Sequence, residues 1–125
     1  MNLPNDRTYI ESHEWLLELG GGRYRVGLTD FAQQALGDIV FIDLPGVGDR
    51  LTAGGRLGDV ESVKAVSEIE SPASGRVVAV NEELAAAPER VNADPYGAWL
   101  VELEDVTDKA DLLDAEGYRA CCERA

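Results

Sequence analysis

The sequence predicts a mainly β protein, a barrel or sandwich with little helix, and three observations carry that prediction. Apolar and polar residues alternate over short runs, as in Tyr24-Arg25-Val26 and Val101-Glu102-Leu103, which is the period of a half-buried strand. Turn residues punctuate these runs at Gly20-Gly21-Gly22, Pro45-Gly46 and Ser71-Pro72-Ala73-Ser74-Gly75. Helix-like stretches are confined to a short segment after Thr29 and to the C-terminal end.

Taken in order, residues 13–19 and 23–28 read as a hairpin. Trp15, Leu17 and Leu19 alternate along its first strand, and Tyr24, Val26 and Leu28 along its second. The three glycines between them form a turn free of Cβ restrictions. Thr29 or Asp30 caps a short helix from Phe31 to Leu36, with Gly37 at its C-terminal left-handed position. Ile39-Val40-Phe41-Ile42-Asp43-Leu44 is apolar on both faces and predicts a core strand, ended by Pro45-Gly46-Val47-Gly48. Runs 57–63 and 66–70 flank Lys64, and Arg76 to Val80 forms another strand after the Ser71–Gly75 turn. Residues 81–98, with Pro88 and Asp94-Pro95, read as long and irregular. Trp99, Val101 and Leu103 mark a last strand, and the chain reads as helical from Thr107 onward, with Asp114 capping a final helix to about Glu123.

The length of 125 residues predicts one domain, spanning 1–125, with a core of its own. Eleven basic and 24 acidic residues leave a net charge of −13, which argues against nucleic-acid phosphates and anionic membrane surfaces as partners. No apolar run reaches the roughly 18 to 20 residues that span a bilayer. The opening Met1-Asn2-Leu3-Pro4-Asn5-Asp6-Arg7 lacks the pattern of a secretory or organelle leader, so the expected location is the cytoplasm. Cys121 and Cys122 are neighbours. Their Cα atoms lie about 3.8 Å apart, too close for an unstrained mutual disulfide, and two cysteines alone do not make a tetrahedral zinc site.

Few residues offer chemistry. His13 is the single histidine, so a multi-histidine metal site is excluded and no histidine-based nucleophilic triad stands out. Gly46-x-Gly48-x-x-Leu51 lacks the third glycine of a dinucleotide fingerprint. Carboxylates such as Glu102 and Glu104 read as a solvated face. Lys64 differs from these: it is one of two lysines, whereas nine basic residues are arginine. Arginine matches lysine in charge but presents no amine that can be acylated. Its flanks, Val63 and Ala65-Val66, contain no turn-forming residue.

Several segments, in order, resemble the glycine cleavage system H proteins. They are Tyr9-Ile10-Glu11-Ser12-His13-Glu14-Trp15, Val26-Gly27-Leu28-Thr29-Asp30-Phe31-Ala32-Gln33, Leu36-Gly37-Asp38-Ile39-Val40-Phe41, Leu44-Pro45, Val60-Glu61-Ser62-Val63-Lys64-Ala65, Ser71-Pro72-Ala73-Ser74-Gly75, Val91-Asn92, Asp94-Pro95-Tyr96-Gly97, Trp99-Leu100 and Leu112-Leu113-Asp114-Ala115-Glu116-x-Tyr118. The resemblance implies a lipoyl-domain-like flattened barrel or sandwich, a barrel-sandwich hybrid, with a short internal helix and C-terminal helices. It implies lipoate in amide linkage to Lys64 at an exposed hairpin tip, and a carrier that is not itself catalytic. The implied partners are a pyridoxal-phosphate glycine decarboxylase, a tetrahydrofolate-dependent aminomethyltransferase, the FAD enzyme dihydrolipoamide dehydrogenase, and a lipoate ligase or lipoyltransferase. It also offers Ser12, His13 and Glu14 as residues that dock the loaded arm. A monomer is expected. Two other readings stay open at this point: a donor that relays lipoate to other lipoyl domains, and an unmodified scaffolding paralogue. The sequence departs from the family pattern at Pro95-Tyr96-Gly97-Ala98-Trp99, which is tighter before its tryptophan, and at Phe31.

Overall fold

The computed structural model describes residues 1–124. Among these residues nine strands form two antiparallel sheets. The larger contains β1 (Thr8–Tyr9), β2 (Glu14–Gly20), β3 (Arg23–Leu28), β5 (Arg50–Leu51), β8 (Gly75–Val80) and β9 (Val101–Glu104), in the order β1-β2-β3-β9-β8-β5. The smaller runs β4-β6-β7, from β4 (Ile39–Asp43), β6 (Arg56–Ser62) and β7 (Val66–Glu70). Neither sheet closes on itself. They share one core, in which Leu16, Val26 and Leu103 of the large sheet pack in the same cluster as Ile42, Val60 and Ile69 of the small one. That is a sandwich, the architecture in which each sheet's apolar face is buried by the other.

A second apolar cluster covers the opposite face of β2. Tyr9, Trp15, Tyr118 and Cys122 fill it beneath α4 (Ala115–Arg124). Both faces at the start of β2 are therefore buried. This corrects the simple alternation expected there: Leu16 enters the shared core, and Leu19, beside the glycine turn of the hairpin, is exposed. The Trp15 indole N–H donates to the carbonyls of Leu28 and Pro95, and a Cβ on Gly27 would collide with this ring. The Arg7 guanidinium lies 4.6 Å from the Trp15 ring centroid and 5.2 Å from that of Tyr96, in cation–π contact with both.

The helical expectations divide. Helix α1 (Asp30–Leu36) is capped by Thr29, whose Oγ1 accepts the Ala32 N–H. Gly37 ends it with φ 76° and ψ −154°, a mirror-extended conformation and not the left-handed helical one. Residues 81–98 hold two single-turn helices, α2 (Glu83–Ala86) and α3 (Arg90–Ala93), each anchored by one buried side chain, Leu84 and Val91. Helix does not begin at Thr107. The Thr107 and Ala110 amides bond to Ser74 and Pro72, and Leu113 exchanges both backbone bonds with Tyr9, so this segment is held in extended form by its neighbours. The Asp114 carboxylate then accepts the Gly117 N–H and starts α4.

The expectation for β4 also needs correcting. Ile39 and Ile42 are buried, but Val40 and Phe41 are 50 % and 54 % exposed. A bulge between Ile39 and Phe41 breaks the alternation, and nothing among the described residues covers the outer face of this sheet.

Candidate functional site

Lys64 lies between β6 and β7, at the tip of a hairpin in the small sheet. Every residue from Val63 to Glu68 is exposed. The turn has no glycine or proline and is built on Ser62, whose side chain is buried. The Ser62 hydroxyl accepts the Lys64 and Ala65 amides, each at 3.2 Å, and donates to the Ala65 carbonyl at 3.4 Å. The Ser62 amide donates to that same carbonyl at 2.8 Å. The tip is thus tied by one hydroxyl that supplies the turn geometry its neighbours lack.

The tip is also braced from below. The Val63 amide donates to the Asp38 carbonyl at 3.0 Å. Asn92 of α3 holds the segment carrying Asp38: its Nδ2 donates to the Gly37 carbonyl and to Gln33 Oε1, and its Oδ1 accepts the Ile39 amide. A Cβ built on Gly37 would stand 3.2 Å from Lys64 Cε. The bare glycine backbone thus leaves room for the lysine stem to lie across it. Lys64 makes no ion pair among the described residues.

The other three residues singled out by sequence gather elsewhere. Ser12 and His13 line an open pocket of about 700 Å³, together with Ile10, Gly54, Glu70 and Cys121. Glu14 is only 2 % exposed and does not itself line the pocket. The Ser12 hydroxyl donates to Glu14 Oε1 at 2.5 Å, and the Glu70 amide donates to Glu14 Oε2 at 3.3 Å. Burial raises this carboxyl to about 8, against the opposing pull of those two hydrogen bonds. His13 precedes β2 and adopts a φ of 80°. Its Nδ1 shares a hydrogen bond with the Tyr118 hydroxyl at 2.7 Å, and its ring lies against Phe31 at 4.5 Å. Burial lowers its pKa, which favours the neutral imidazole. The Tyr118 hydroxyl also meets Thr29 Oγ1 at 2.7 Å, so α4 and the cap of α1 jointly orient the histidine.

Lys64 does not line this pocket. It stands at one end of β7 and Glu70 at the other, and the rise from Val66 to Glu70 is roughly 14 Å at about 3.4 Å per residue. One strand thus connects an exposed amine to a pocket two of whose lining residues, Ser12 and Glu70, hydrogen-bond a buried carboxyl. Sequence reasoning did not single out Glu70, Ser62, Asn92 or Tyr118. Ser62, Asn92 and Tyr118 fall in segments that match the family without a role being assigned to them, and Ser62 carries a physical signal besides, because serine hydroxyls replace backbone donors and acceptors in tight turns.

Residues 7–125 match the glycine cleavage H-protein family. The chain belongs to that family. It is 52 % identical over 124 residues to a glycine cleavage system H protein of Mycolicibacterium vanbaalenii, covering 94 % of this chain and 95 % of that one. It is 51 % identical to one of Methylococcus capsulatus, with 98 % of each covered. Its fold is similar to the crystal structure of a glycine cleavage system H protein from Mycobacterium marinum, with a TM-score of 0.89, 43 % identity, and 94 % of this chain and 97 % of that one aligned. Among the described residues no helix is long and apolar enough to cross a membrane. No cluster of histidine, cysteine and carboxylate side chains suited to a metal occurs among them. Glu102 and Glu104 are engaged in ion pairs, Glu102 with Arg23 and Arg25 and Glu104 with Arg76 and Arg23.

Proposed function

We propose that this protein is the lipoyl carrier of a glycine cleavage system, with lipoate in amide linkage to Lys64. The observation that carries the reading is an unpaired, exposed amine at the apex of a hairpin that a buried serine and a bracing asparagine hold in one shape. A lysine in mid-strand could not enter successive active sites, whereas one at such an apex can. Lipoate bound there supplies a disulfide that takes up the aminomethyl group of glycine. The partners in this reading are glycine decarboxylase, the aminomethyltransferase and dihydrolipoamide dehydrogenase, each of which receives the tip in turn.

The protein's own residues position and shelter the arm. Ser62, Asn92 and the Val63–Asp38 backbone bond fix where the arm begins. Ser12, His13 and Glu14 form the seat for its far end. Glu14, neutral when its neighbours are only Ser12 and the Glu70 amide, ionises when a cationic amine enters beside it. The two then form a charge-assisted hydrogen bond in a site of low exposure. The carrier performs no bond-making itself, and the residues that would line a catalytic centre are absent from this reading. The whole chain acts as one carrier domain.

Attachment is the step that tests the reading. An ordinary lysine amine is protonated near neutral pH, so the attaching enzyme must remove a proton. The Nζ of Lys64 then attacks the acyl carbon of a lipoyl adenylate, an amide forms, and AMP leaves. Intact mass after incubation with a lipoate ligase, ATP and lipoate gains about 190 Da, and the gain disappears in Lys64→Arg. No gain in the unsubstituted protein, with a ligase proven on another substrate, overturns the proposal.

A further inference from the structure

We propose that Tyr118, backed by Thr29, is a positioning residue that fixes His13 as the tautomer with its hydrogen on Nε2, and that this N–H is the donor in the arm's seat that takes a sulfur atom. The inference rests on Ser12, His13 and Glu14 being the seat of an arm carried on Lys64.

Proton accounting sets the tautomer. Thr29 is fully buried, and its Oγ1 already accepts the Ala32 N–H at 3.1 Å. Its other side-chain partner among the described residues is the Tyr118 hydroxyl at 2.7 Å. The Thr29 hydroxyl hydrogen therefore goes to the Tyr118 oxygen, since a buried donor without an acceptor is costly. That leaves the single hydrogen of Tyr118 for another acceptor. His13 Nδ1 lies 2.7 Å away. The Cys122 thiol adjoins the same hydroxyl, but sulfur is the weaker acceptor. The relay thus runs from Thr29 to Tyr118 to Nδ1. A neutral imidazole that accepts at Nδ1 carries its hydrogen on Nε2.

Backbone strain marks the same residue. His13 has a φ of 80°, where residues other than glycine are uncommon. Its amide donates to the Ile10 carbonyl at 3.0 Å, and its carbonyl accepts the Thr29 amide at 3.2 Å. Thr29 thus grips His13 twice, through the backbone and through Tyr118. Strain held in place around an oriented side chain points to use of that side chain.

The second ring nitrogen is unused within the protein. Nε2 has no hydrogen-bond partner among the described residues, and none of their buried side-chain nitrogens or oxygens lacks one. Nε2 is therefore open to solvent, and His13 lines the pocket of about 700 Å³ with Ser12 and Glu70. The far end of a loaded lipoyl arm has two kinds of polar atom, an amine and sulfur. An ionised Glu14 accepts only, which suits the amine. A thioether sulfur also accepts only, which suits Nε2–H. An uncharged imidazole, besides, sets no positive charge against the amine.

The test begins with nitrogen NMR on the unmodified full-length protein carrying isotope-labelled histidine. The chain has one histidine, so its ring signals are unambiguous. With the ring neutral, Nδ1 should resonate as the bare nitrogen and Nε2 as the protonated one, and the reverse assignment overturns the proposal. Tyr118→Phe should draw the two signals together as the tautomers mix. Signals that stay in place overturn the role of Tyr118. The second readout is the rate at which the lipoylated, aminomethyl-loaded protein releases formaldehyde. Tyr118→Phe should raise it about fivefold, the size of one net hydrogen bond. In a His13→Asn background, where asparagine tolerates the positive φ, Tyr118→Phe should add nothing further. An equal acceleration there assigns the effect to loosened packing of α4 and overturns the proposal. Should Tyr118→Phe not fold, Thr29→Val carries both measurements, with Thr29→Ser expected to keep the tautomer and the slow release. Failure to obtain any lipoyl adduct or loaded form is a separate result, which overturns the carrier reading whatever the tautomer.

Discussion

Glu14→Gln isolates the protonation of the buried carboxyl at the pocket. The neutral acid and the amide have the same shape, and the amide meets the same partners. Its oxygen accepts the Glu70 N–H, and its NH2 donates to the Ser12 hydroxyl in place of the bond now running the other way. The variant keeps the packing and removes the titration. In the folded protein the carboxyl is raised from its ordinary 4.5 to about 8. The native state therefore binds more protons than the unfolded chain between those values, and stability falls as pH rises through that window. At 1.36 kcal/mol per pH unit, the full effect is about 5 kcal/mol, all of it retained below pH 4.5 and lost above about pH 8. Glu14 is 2 % exposed, so solvent screening reduces this little. Urea denaturation followed by tryptophan fluorescence, at steps from pH 5 to pH 9, gives stability for both proteins. The stability of the unsubstituted protein relative to Glu14→Gln should drop by at least about 2 kcal/mol across that range, an outcome on the scale of the linkage. Parallel curves would show that the carboxyl is already ionised at neutral pH and would refute the argument from burial.

Two further substitutions probe the scaffold. Ser62→Ala removes the hydroxyl that ties the tip. It should cost about 1 kcal/mol and speed hydrogen exchange at the Lys64 and Ala65 amides, while unchanged exchange would mean that the backbone bonds alone shape the turn. Gly58→Ala places a Cβ against the Asp43 carbonyl and forces β4 away from β6. A loss of about 1–3 kcal/mol and a lower melting temperature are expected, and a melting temperature equal to that of the unsubstituted protein would show that the strands can shift without cost.

Much of this arrangement is legible from local sequence. The hairpin around Gly20-Gly21-Gly22, the cap at Thr29 and the inward face of Val101 and Leu103 follow from period and turn chemistry, and the structure has each of them. What local sequence misses is decided at long range. Strands β1 and β5 have two residues each, too few to show a period. The segment from Thr107 to Leu113 looks helical until its amides find Ser74, Pro72 and Tyr9. Phe41 reads as core because its apolar neighbours disguise the bulge that turns it outward. At the site, the scarcity of lysine draws attention to Lys64, and the family resemblance gathers Ser12, His13 and Glu14. Asn92, which braces the tip from 28 positions further along the chain, lies in a segment that matches the family, but its role is set by three partners distant in sequence and nothing local to it gives that role.

The turn at Ser62 has a kinetic meaning. A tip without glycine, tied through one buried hydroxyl, is a stiff pivot. Any group hung from Lys64 therefore swings about a fixed centre, with its freedom confined to the side chain. A seat on the same molecule is met at an effective concentration set by tether length, in the millimolar range for short flexible links, whatever the concentration of the protein. The seat can then be weak in absolute terms and still be occupied much of the time, while releasing its guest quickly when an enzyme approaches. A floppy tip would spread the same group over a larger volume and require a tighter seat, and a tighter seat would be slower to empty.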